Sequence, residues 1–81
     1  LELANLHNID AEVFEFEVKP NSKVTKEPIR DLRFPREAVF GGIIREGKAL
    51  MSFGDIQIQT GDKVIVFCLP EAISIVEGFF N

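Results

Sequence analysis

The chain has 81 residues, a length that holds one domain with one core and leaves no room for a second lobe. With 46% apolar and 27% charged residues it is an ordinary globule, not a disordered tail, and its longest apolar run, around Val64–Leu69, falls far short of the ~20 residues that a bilayer helix needs. A net charge of −4 without a basic-aromatic platform excludes nucleic acid as a natural partner, and a lone cysteine, Cys68, excludes the disulfide framework of a small secreted domain. A reducing, cytoplasmic home is expected, and the start at Leu1 with no signal sequence reads as a piece of a larger protein.

Residues 1–10 carry too little periodicity to define an element and are expected to be coil, a linker or the end of an upstream element; the domain proper is expected over residues 11–81. From Ala11 to Lys19 the alternation is clean, with Phe14, Phe16 and Val18 on one face and Glu15, Glu17 and Lys19 on the other, which predicts a half-buried strand. Pro20-Asn21-Ser22 breaks it. A short helix is expected next, capped by Thr25, with Glu27 and Pro28 in its first turn, Ile29 and Leu32 on its inner face, and Pro35 ending it. Ala38–Arg45 and Lys48–Phe53 form a hairpin around Glu46-Gly47, and Gly41-Gly42 inside its first arm marks a bulge or a close approach of another backbone or a ligand. The turns Gly54-Asp55 and Gly61-Asp62 flank the alternating piece Ile56–Gln59. Lys63–Leu69 is nearly continuous in apolar residues, as a central strand would be. Pro70-Glu71 opens a terminal helix with Ala72, Ile75, Val76, Phe79 and Phe80 as its apolar stripe. The sum is an α+β fold: a small mixed or antiparallel sheet of four to five strands with a short helix and a C-terminal amphipathic helix packed on it.

Catalytic chemistry is poorly supplied. The one histidine, His7, lies in the least patterned part of the chain, so no nucleophile has a base beside it. Cys68 sits in an apolar run and reads as a buried, inert thiol, and one His with one Cys cannot hold zinc. Asp55 and Asp62 each follow a glycine and read as turn residues rather than calcium ligands, and no glycine-rich loop precedes a helix to cradle a phosphate. Eight of the nine basic residues lie between Lys19 and Lys48, leaving both ends acidic. That block is either a solvated face or an anion-binding surface, because arginine forks onto carboxylate and phosphate. Arg36 and Arg45, each beside apolar sequence, are its most interesting members, against the plainer alternative of snorkelling surface side chains.

The stretch Phe34-Pro35-Arg36-Glu37-Ala38-Val39-Phe40-Gly41-Gly42-Ile43-Ile44-Arg45-Glu46-Gly47, then Gly54-Asp55, then Thr60-Gly61-Asp62-Lys63-Val64-Ile65-Val66-Phe67 and the terminal helix to Phe80 resembles the TrkA C-terminal domain, the C-terminal lobe of the regulator-of-potassium-conductance unit. The resemblance covers about residues 11–81. It implies a regulatory module, not an enzyme, of a potassium uptake system, peripheral to the inner face of the membrane through a channel subunit that the assembly gates. It also implies a homodimer, which in some members binds a small ligand between two copies. Any NAD or ATP would belong to a separate N-terminal lobe. The alternative is a ligand-silent interaction domain attached to another transporter, such as an antiporter or dicarboxylate carrier.

In members that bind cyclic di-AMP, an Arg is followed six residues later by Asn and then Ile, with an Asp two residues before the Arg and an apolar pair further upstream. Arg36 fits the Arg and Ile43 the Ile, whereas Gly42 replaces the Asn, Phe34 the Asp, and Arg30 and Asp31 the apolar pair. The supporting polar contacts are missing, which argues against cyclic di-AMP and leaves Arg36 to serve another small anionic effector or none. The candidate ligand-binding residues are Arg36, Gly42, Ile43 and Arg45, with no metal site expected. Gly42 also draws attention as the place where a bulky side chain would obstruct a partner or ligand.

Overall fold

The computed structural model describes residues 10–81 in full and the backbone of Glu2–Asn5. Five strands, β1 (Glu2–Asn5), β2 (Glu12–Glu17), β3 (Ala38–Arg45), β4 (Lys48–Leu50) and β5 (Lys63–Cys68), form one sheet in the order β1-β2-β5-β3-β4. Every neighbouring pair is antiparallel, and β5 takes the central place that its apolar run predicts. One helix, α1 (Ile73–Phe80), follows a single 3₁₀ turn over Pro70–Ala72 and packs on the sheet.

Alternation along β2 and β5 sorts their side chains cleanly. Phe14 faces the helix with Val64, Val66 and Cys68, while Val13, Ile65 and Phe67 face the other way. On β3 the sorting depends on a bulge. Phe40 pairs with Val66 and Gly42 with Ile65, so Gly41 is an extra residue with no opposite number. Ala38 before the bulge and Ile43 after it therefore both lie in the core, though five residues apart, a spacing that an unbroken strand would send to opposite faces. Gly42 has φ 153°, where a side chain is strained, and Glu46 (φ 51°) with Gly47 (φ 77°) makes the tight β3–β4 turn.

Six of the eight phenylalanines build the layer between helix and sheet, Phe79 and Phe80 from the helix itself. Phe80 lies flat on Phe16 (centroids 4.3 Å apart, planes at 6°), which in turn stacks near Phe14. Phe79 meets Phe34 edge-on at 5.0 Å, and Phe34 stacks on Phe40 at 4.2 Å. The last turn of α1 thus rests on β2 directly, through Phe16, and reaches β3 through Phe34, which stacks on Phe40. Lys23 lies over the outer face of the Phe79 ring at 4.7 Å.

Several local expectations are corrected. Glu2–Asn5 form an edge strand and not coil, joined to β2 by backbone pairing that needs no apolar alternation, with an irregular register between Glu2 and Ala4. His7 lies outside the described residues. The expected helix from Thr25 is replaced by two 3₁₀ turns, Lys23–Thr25 and Ile29–Asp31; Thr25 closes the first, its hydroxyl donating to the Ser22 carbonyl at 2.8 Å, and Pro28 precedes the second. Pro28 separates the two because it cannot donate a helical N–H. β4 stops at Leu50, and Ile56–Gln59 is extended without joining the ladder, held by Ile29 N–H donating to the Ile56 carbonyl and by buried Ile58. Ile75 is 55% exposed, since Val76 centres the buried stripe and successive helical residues turn by about 100°. Ile73 packs against the core instead.

Candidate functional site

The helix covers one face of the sheet; the opposite face carries Val39 (58% exposed), Phe67 (42%) and, just beyond β5, Leu69 (36%). A central strand that is apolar on both sides ordinarily lies between two covering layers, and here only one is present. Gly41 belongs to this open face. A Cβ built on it would lie 2.8 Å from the Phe67 ring, so the missing side chain is the seat on which that ring rests. Gly42, by contrast, meets nothing nearer than the Leu50 carbonyl at 3.8 Å. The close approach expected at the glycine pair is therefore made at Gly41, and at Gly42 it is φ that excludes a side chain.

Where β5 ends and β3 begins, a groove of about 220 Å³ opens at the end of this face. Val39, Phe67 and Leu69 form its apolar wall and Arg36 and Glu37 its rim, while the Cys68 side chain is turned to the other face of the sheet. The Leu69 N–H donates to the Glu37 carbonyl at 2.9 Å, which ties the rim to the end of β5. Arg36 is exposed and, among the described residues, makes no side-chain hydrogen bond or ion pair. Its guanidinium can fork onto a carboxylate or phosphate, and the apolar wall beside it suits a ligand that is anionic at one end and apolar at the other. Cys68 offers no nucleophile: it is buried, its thiol donates to the Leu69 carbonyl, and burial together with the carboxylates of Glu12, Glu71 and Glu77 raises its pKa above the ordinary thiol value.

The four sequence-predicted residues do not converge. Arg36 lies on the groove, Gly42 in the bulge, and Ile43 points into the core at 1% exposure. Arg45 is at the far end of β3, about 23 Å of strand beyond Ala38 at ~3.3 Å per residue. There it is already engaged. Its Nε donates to Asp62 Oδ1 at 2.9 Å, and its Nη2 to Asp62 Oδ2 at 2.8 Å and to the Gln57 carbonyl at 3.0 Å. Asp62 is 2% exposed and also accepts the Gln59 N–H at 2.9 Å. Burial alone would raise its pKa; the hydrogen bonds from Arg45 and Gln59 and the guanidinium charge outweigh burial and hold it below the usual carboxylate value. The same bond to Asp62 raises Arg45 above its ordinary value. Arg45 is thus a clasp joining β3 to the turn that launches β5.

A second groove, of about 450 Å³, lies beside the end of α1 among Phe16, Phe80, Glu15, Glu17, Lys19 and Lys63. Its charges are of both signs, and it contains none of the four candidate ligand-binding residues. Among the described residues no three His, Cys, Asp or Glu side chains gather as a metal site, and no helix is long and apolar enough to cross a membrane.

A two-layer lobe with one covered sheet face, one open apolar face and an arginine-rimmed groove has the build of a binding module. The family comparison gives that class its name. A model of the TrkA-C domain matches residues 13–81, and the chain belongs to that family, one of regulatory domains and not of enzymes. A Methanosarcina mazei protein described as "Trk system potassium uptake protein TrkA homolog 2" is 30% identical over 79 residues, 98% of this chain and 18% of that protein. Azorhizobium caulinodans "Trk system potassium uptake protein TrkA" is 29% identical over 70 residues, 86% of this chain and 15% of that protein. The chain spans less than a fifth of the length of these relatives. A solved structure described as "Structure of RCK domain with cda" superposes with a TM-score of 0.70 at 23% identity, over 85% of this chain and 97% of that one, a likeness in fold.

Proposed function

We propose that this domain is a dimerising, effector-binding lobe of a potassium uptake regulator, cytoplasmic and attached through its parent protein to a membrane transport subunit. The observation that carries the reading is the open face itself: Val39, Phe67 and Leu69 stand exposed on a sheet whose central strand is apolar on both sides. A second copy laid on this face would bury them. A standard interface takes ~800 Å² from each partner, about 15% of the 5266 Å² of this chain, and exposed apolar patches of this kind mark partner surfaces.

The groove beside that face is the place for a small anionic effector, with Arg36 as its anchor and the apolar wall as its platform. An effector that contacts both copies favours the paired state over the separate one, and that difference in affinity is what a regulator passes to an attached channel. The test is titration calorimetry of the purified domain with a panel of anionic nucleotides, cyclic di-AMP included, with molar mass followed by light scattering. Saturable binding to a dimer, abolished by Arg36→Ala, is the expected result. No binding to wild type at millimolar nucleotide removes the effector from the account.

One observation favours a second reading, a ligand-silent assembly domain on another transporter. Phe34 stands where an acidic side chain would orient Arg36, and its ring is taken up between Phe40 and Phe79. In that case the dimer forms and calorimetry stays silent.

A further inference from the structure

We draw no further inference here: the strongest candidate, the exposed pair Met51 and Phe53 on the loop after β4, stands beside Arg30 and Lys48 but equally beside Asp31 and Asp55, so that neither charge nor any contact in the structure shows what covers it.

Discussion

Replacing Arg45 by alanine leaves Asp62 as a buried carboxylate with one backbone N–H donor and no counter-charge. Removing one partner of a buried pair costs ~3–5 kcal/mol, and because the Arg45 side chain is 25% exposed, water entering its place brings the expected loss to about 2–3 kcal/mol. For a domain of this size that lowers Tm by roughly 10–20 °C. The pH dependence identifies the cause. In the wild type the folded Asp62 pKa is depressed, so its contribution to stability is present above the unfolded value of ~3.9 and is lost as pH falls through the folded pKa. In Arg45→Ala burial is no longer outweighed, the carboxyl protonates more readily in the folded state, and acid relieves the penalty. Thermal unfolding by circular dichroism from pH 7 to pH 3 should therefore show a gap that is widest at pH 7 and narrows as pH falls through the raised carboxyl pKa of the variant and on towards the lowered one of the wild type. Arg45→Lys, which restores the charge without the fork, should recover about half of the loss. A Tm within 3 °C of wild type at pH 7, or a gap that stays constant down to pH 3, refutes the reasoning.

Gly41→Val should displace the Phe67 ring and cost about 1–3 kcal/mol in chemical denaturation, whereas Gly41→Ala should cost less, since a lone Cβ at 2.8 Å pushes the half-exposed ring a shorter way than a branched side chain does. Phe79→Ala removes the edge contact with Phe34 and the seat under Lys23, with an expected loss of about 3–4 kcal/mol by the same measurement; Ile75→Ala on the outer side of α1 should stay within ~0.5 kcal/mol. Cys68 in the native domain should react with a thiol reagent only as fast as the domain unfolds, and rapid labelling under native conditions would contradict its burial and raised pKa.

The parts of the fold legible in the sequence were those in which one strand or helix face is buried. Phe14, Phe16 and Val18 mark β2, the Lys63–Leu69 run marks the central strand, and Ala72, Val76, Phe79 and Phe80 mark the inner side of the C-terminal helix. β1 left no mark because an edge strand is held through its backbone. The 3₁₀ turns around Pro28 resemble a helix in sequence because Ile29 and Leu32, three apart, satisfy both geometries. At the candidate site the sequence singles out Arg36, which lines the groove, but not the apolar wall beside it. Val39 and Phe67 look like core residues in a sequence, and only the absence of a second covering layer shows them to be surface. The clue was present in β5, whose apolar residues do not alternate although it belongs to an antiparallel sheet. Asp62 is legible as a turn residue, and its N–H closes the turn onto the Gln59 carbonyl. Its partner Arg45 lies 17 positions earlier, and no sequence spacing announces a pair made across a fold.

The open face of the sheet is the centre of the account, and the most direct measurement on it is molar mass by light scattering over a concentration series from micromolar to millimolar, for the wild type and for Phe67→Asp. Phe67 is 42% exposed, so the variant should stay folded, which its circular dichroism and Tm will show. The account predicts a wild-type mass that rises to that of a dimer and a variant that remains a monomer throughout. A wild type that stays monomeric at millimolar concentration, or a folded Phe67→Asp that dimerises as well as wild type, would contradict it.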